Sequence, residues 1–170
     1  LSQNFRFIND VGAECEDNAA AEILQLFIGG NETYTGTKAT LLGRQSNLDL
    51  NVGYYCKDEQ LLDMNYVAEH IGKKTVSSMN AGGVLRDKAH KLFRGTIDFP
   101  LGSSGAKGDE NEDVLILGED VINQTVPLIL CAEEDVEGNH GASIGRPSDD
   151  VLFYLASRGL DEEEACNLMA

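Results

Sequence analysis

Apolar residues recur at every second position over much of the chain. Leu48, Leu50 and Val52 alternate with Asn47, Asp49 and Asn51, and Leu62, Met64, Tyr66 and Ala68 keep the same beat further on. Phe93, Ile97 and Phe99 share one face of a third stretch, with Arg94, Thr96 and Asp98 on the other. A period of two belongs to an extended strand with one buried and one wet face, so these stretches are predicted strands. Residues 114–117 and 128–131 are continuous apolar runs, the pattern of strands covered on both faces. Gly29-Gly30-Asn31, Gly43, Asn80-Ala81-Gly82-Gly83 and the glycines of residues 102–108 are expected to supply positive-φ corners between strands. Asn-Gly and Asp-Gly pairs, the usual two-residue hairpin turns, do not occur, so an antiparallel meander is not signalled. Short strands with Gly, Asn and Asp corners suit an all-β parallel solenoid, in which each turn of chain lies on the last. No clean repeat period emerges, and the pattern alone leaves solenoid and sandwich both open.

At Pro147 the period changes. Ser148 is placed to cap a helix, with Asp149 and Asp150 at the positive end of its dipole. Val151, Leu152, Tyr154 and Leu155 form an apolar stripe at helical spacing, and Gly159 follows Arg158 where a left-handed cap is wanted. Asp161 and Glu164 have the spacing of a capping box that opens a second helix. The expected organisation is a β core over residues 1–146 and a helical segment over 147–170. That second helix is about two turns long, marginal without packing, so the natural protein is expected to continue past Ala170.

Charge narrows the class of partner. Thirteen Lys and Arg face 29 Asp and Glu, a net of −16, and beyond residue 108 only Arg146 and Arg158 are basic. Such a surface repels nucleic acid and anionic membranes. The longest apolar run, residues 126–132, is far too short for a membrane helix, and no export signal opens the chain. Cys15, Cys56, Cys131 and Cys166 are widely spaced with no C-x-x-C, as for free thiols of a reducing cytoplasm. Two Asn-x-Thr sequons, at Asn31 and Asn123, are read as chance. The glycines of residues 102–108 lack phosphate-loop spacing, so the chain is not expected to bind ATP itself. The run Glu133-Glu134-Asp135 is the one hint of acid–base chemistry, and consecutive acids usually just face water.

The most specific motif begins at Gly138. It reads Gly138-Asn139-His140-Gly141-Ala142-Ser143-Ile144-Gly145, then Leu152-Phe153-Tyr154-Leu155-Ala156-Ser157-Arg158-Gly159-Leu160, then four acids from Asp161 to Glu164. Upstream stand His70-x-Gly72 with Thr75 and Ser77, Phe93-x-Gly95-x-Ile97, residues 113–118, Thr125-Val126-Pro127 and residues 132–136. Together they resemble the SufB/SufD family of iron–sulfur cluster assembly proteins. The resemblance implies a right-handed parallel β-helix followed by a helical C-terminal domain, acting as a non-catalytic scaffold. It implies pairing, edge to edge, with a SufB-type subunit or a second copy. It also implies an ABC-type ATPase, SufC, held by the helices, where Tyr154, Arg158 and Gly159 are candidates either to pack or to touch that partner. Gly141 and Glu112 stand where the SufB branch has glutamate and a cluster-building cysteine, so the chain is SufD-like. Glutamate cannot replace a thiolate as a soft ligand, and no cluster is expected on this chain alone, only a transient one in the complex. His140 is then the candidate iron or cluster ligand at the subunit interface. His70 is expected to be structural, His90 solvent-exposed, and Cys131 a buried small hydrophobe. Two alternatives stay open: a self-pairing SufB-like homologue that binds a cluster alone, and a carbohydrate-acting solenoid enzyme using its acids.

Overall fold

In the computed structural model, described over residues 5–170, ten strands precede two short helices. The predicted β core reaches back to residue 1, and residues 1–4 lie outside that description. The strands are β1 (Arg6–Cys15), β2 (Ala20–Ile28), β3 (Glu32–Leu41), β4 (Asn47–Cys56) and β5 (Leu61–His70), then β6 (Val76–Arg86), β7 (His90–Phe99), β8 (Ala106–Leu117), β9 (Ile122–Cys131) and β10 (Val136–Gly145). Odd-numbered strands form one sheet in the order β1-β3-β5-β7-β9, and even-numbered strands the other, β2-β4-β6-β8-β10. Every pairing within a sheet is parallel. The chain therefore climbs as a solenoid of two-strand rungs, and the sandwich is excluded.

Along the odd sheet Arg6 lies beside Glu32, Glu32 beside Leu61, Leu61 beside His90 and His90 beside Ile122, steps of 26, 29, 29 and 32 residues. Such uneven rungs hide the repeat from a fixed-period reading. In-register stacking keeps inward positions over inward positions, so Leu50, Met64, Tyr66, Met79, Phe93 and Ile97 fuse into one dry column. Each residue in that column is worth roughly 1.5–3 kcal/mol of apolar transfer.

The corners depart from expectation. Gly29, Gly30, Gly102 and Gly105 have positive φ as predicted, but so do Asn18, Gln45, Asp58, Lys74 and Asp87, each at 55–59°. A backbone ladder over the stacked turns supports one set of them: Asn18 N–H donates to Arg44 O (2.9 Å), Gln45 to Lys73 O (3.0 Å), Lys74 to Ser104 O (3.0 Å) and Gly105 to Asp135 O (2.6 Å). Asn80-Ala81-Gly82-Gly83 is no corner; it lies inside β6. There Gly83 makes room for the Tyr54 ring, with which an added Cβ would collide. Of the two apolar runs, residues 114–117 are buried or half-buried throughout, but residues 128–131 are not covered on both faces. In β9, Val126, Leu128 and Leu130 point outward and are 50%, 46% and 43% exposed, because no described residue packs over that outer face.

Helices α1 (Asp149–Ser157) and α2 (Glu162–Met169) start as read from sequence. Ser148 Oγ accepts from Val151 N–H at 3.4 Å, and Asp161 and Glu164 close a reciprocal capping box. Gly159 takes φ +90° just past α1. No helix here is long and apolar enough to cross a membrane, among the described residues.

His70 shows how the column treats a polar side chain. It is wholly buried against Phe99, with Nδ1 2.7 Å from Thr75 Oγ1 and Nε2 2.9 Å from Ser77 Oγ. Burial pulls its pKa down from 6.5 to about 4, so the folded state holds the neutral ring. Its contribution is complete above pH 6.5 and is lost as protons bind the unfolded chain between pH 6.5 and 4. Denaturant unfolding at pH 7 and pH 5 should show an acid loss of about 2 kcal/mol from this residue, absent in His70→Gln. Equal pH slopes in the two proteins would contradict that assignment.

Candidate functional site

Among the described residues the sheets end at β9 and β10, whose far edges meet no further strand. Ile122 N–H bonds to Ala89 O and Ala132 N–H to Phe99 O, so even-numbered residues of β9 address β7. In a parallel strand the alternate residues address the opposite side, which leaves the amides of Asn123, Thr125, Ile129 and Cys131 on the open edge. Pro127 falls in that set, where its missing N–H costs no ladder bond. By the same alternation Lys107 N–H addresses β6, so even-numbered β8 residues address β10, and Gly138, His140, Ala142 and Ile144 present their backbone groups to the open edge. These residues also face inward: Gly138 packs on Phe99 and Ile129 of the opposite sheet. With no described rung beyond them, Gly138, His140, Ala142 and Ile144 are exposed, while Asn123, Thr125, Pro127 and Ile129 stay half-buried.

His140 is one of these. It lies on the inner face of β10, exposed, in register with Glu110 of β8. Cys131 is another. It is exposed rather than buried, its thiol 3.2 Å from Glu133 O, because the inward side of a terminal strand has no next layer to cover it. Cys15 and Cys56 are buried, and burial pushes the Cys56 thiol up to about 12. His90 is half-buried, with Nε2 3.1 Å from Gln124 Oε1.

One rung inside the mouth lies a polar cluster of whose charged residues the sequence singled out only Glu112. Lys91, fully buried, pairs with Glu112 and donates to Thr125 Oγ1 at 3.2 Å, while Thr125 Oγ1 donates to the other Glu112 oxygen at 2.6 Å. Burial pulls the Lys91 pKa down, and Glu112 opposes it. Glu110, 2% exposed, is left outside this pairing: its Oε2 has no hydrogen-bond partner among the described residues. Burial, then the charge of Glu112, push its carboxyl up to about 7. Gly95 opposite makes its space, since an added Cβ would strike the carboxyl. The signal was there in the parity, because Lys91, Glu110 and Glu112 all occupy inward positions of their strands, but the alternation was read through apolar residues only.

The other candidates stand apart from the mouth. Arg158 lies over the Tyr154 ring at 5.2 Å on α1, a helix with no buried residue. α2 is tied to β6 by Arg86 Nη1, which donates to Asn167 Oδ1 at 2.7 Å. Glu133 accepts from Gly102 N–H at 3.0 Å and Asp135 from Ser104 Oγ at 2.7 Å, so two of the consecutive acids tie turns together. Among the described residues no three His, Cys, Asp or Glu converge as a ready-made metal site.

Comparison with known proteins gives a consistent answer. A sequence model of the family described as SUF system FeS cluster assembly, SufBD core domain, matches residues 1–170. The iron–sulfur cluster assembly protein SufD of Bacillus subtilis (strain 168) is 32% identical over 140 residues, 82% of this chain and 29% of SufD. SufB of the same organism is 26% identical over 156 residues, 91% of this chain and 33% of SufB. A SufBD family protein of Staphylococcus epidermidis is 25% identical over 154 residues. The chain spans about a third of the length of these relatives.

The buried pair makes its own prediction. Lys91→Met strands the Glu112 carboxylate in the column and should cost about 3–5 kcal/mol, whereas Lys91→Met with Glu112→Leu should recover most of that loss. Denaturant unfolding of the three proteins measures it. A single-variant loss below about 1 kcal/mol would mean that the pair is not desolvated.

Proposed function

Since the chain belongs to the SufBD core domain family of the SUF iron–sulfur cluster assembly system, we propose that it acts there as a non-catalytic, SufD-like scaffold. In this reading the open turn β9–β10 pairs with a SufB-type subunit, or with a second copy, and His140 supplies an iron or cluster ligand across the junction. The observation that carries it is the position of His140: inner face, terminal strand, exposed, with its own backbone groups on the unpaired edge. A second strand laid along that edge would satisfy those groups and bring a partner's side chains against the ring. The outward apolar stripe of Val126, Leu128 and Leu130 adds area that such a partner can cover.

Glu112 supports the scaffold role over self-contained cluster building. Where the SufB branch carries a cysteine, this chain has a carboxylate, and it is consumed by Lys91 and Thr125. The exposed helices, with Tyr154, Arg158 and Gly159, are the surface assigned to a SufC-type ATPase. All four cysteines are free, which suits a reducing cytoplasm.

The test is His140→Ala in the complex reconstituted with a SufB-type subunit. Iron and sulfide content should fall severalfold, with circular dichroism and pairing unchanged, because an exposed ring contributes little to the fold. Unchanged iron and sulfide would return His140 to an ordinary surface residue.

A further inference from the structure

The scaffold reading assigns one ligand, and one imidazole holds a metal ion poorly. Glu110 supplies what is missing. It lies directly beside His140 on the neighbouring strand, and both side chains leave the inner face. In-register neighbours across a ladder stand about 5 Å apart, close enough for two side chains to reach one ion. Glu110 Oε2 is also an acceptor without a donor, in a residue 98% removed from solvent. A buried carboxylate oxygen in that condition costs free energy unless something binds it. Lys91 does not, since it is held by Glu112 and Thr125.

We propose that Glu110 and His140 together form a landing site for a ferrous ion at the mouth of the solenoid, resting on the reading of His140 given above. The chemistry selects the cargo. A carboxylate oxygen with an imidazole nitrogen suits a divalent first-row cation, whereas sulfide or a persulfide finds no soft ligand there. Lys91 is engaged by Glu112 and Thr125, so a cation arriving at the mouth would be the partner that draws the Glu110 carboxyl into its charged form. Two protein ligands leave coordination positions for water and for a paired subunit, so the ion can be passed on. The carboxyl fills the space that Gly95 leaves on the opposite strand.

Co(II) is the probe, because its visible bands report the ligand set and it does not oxidise during titration. The chain by itself should bind one Co(II), and anaerobic Fe(II) should displace it. Glu110→Gln and His140→Ala should each weaken binding at least tenfold, while Asn139→Ala, on the outward side of β10, should leave it unchanged. Circular dichroism is the folding control, and if Glu110→Gln does not fold, Glu110→Asp, which draws the carboxylate back by one methylene, should also weaken binding. Binding that ignores substitution of Glu110 overturns the site. A chain that takes up no Co(II), in a complex that still loses iron with His140→Ala, overturns the site as well and leaves the interfacial ligand standing.

Discussion

In-register stacking of parallel strands governs everything else in this molecule. Once Arg6 lies beside Glu32 and Glu32 beside Leu61, each side chain's direction is inherited from the rung before, inward over inward and outward over outward. Inward positions must then be apolar, or polar and satisfied, for the whole height of the column. Slipping one strand by a single residue would send its apolar set to solvent and its charges inside. The corner ladder from Asn18 through Gln45 and Lys74 to Gly105 belongs to the same constraint. It lets non-glycine residues hold positive φ, because each turn is bonded to the turn below.

The same rule explains why the polar chemistry collects where it does. A column interior can be dry only while another rung follows. His70, deep in the stack, is enclosed by two hydroxyls and an aromatic ring and has no chemistry to offer. Lys91 and Glu112, one rung from the end, are buried but compensate one another. His140 and Cys131, on the last rung, inherit inward directions and meet no cover. At the end of such a fold, inner faces and unpaired backbone become available together.

Much of this was legible in the sequence. Alternation located β4, β5 and β7, and the helix caps at Ser148, Asp161 and Glu164 were each identified from spacing alone. The motif around His140 marked the end of the solenoid. Three things were not legible, and each has a physical cause. Glycine reads as a corner by default, yet in β6 it yields space to Tyr54 from a neighbouring strand, which no local window contains. The run in β9 looked doubly covered because a bare outer face and a packed one have the same composition. Cys131 and the Lys91–Glu112 pair needed the rung count: whether an inward residue is buried depends on how many rungs lie beyond it.

The central claim is that the β9–β10 edge is where a second subunit adds its strands. Amide hydrogen exchange, followed on the chain alone and in complex with a SufB-type subunit, reads that edge directly. Pairing should slow exchange at Gly138, His140, Ala142 and Ile144, and at Thr125 and Ile129, whose N–H groups address no described strand. Their alternates, already bonded to β8 and β7, should change little. Protection confined to the helices beyond Ser148, with this edge exchanging as before, would contradict the account.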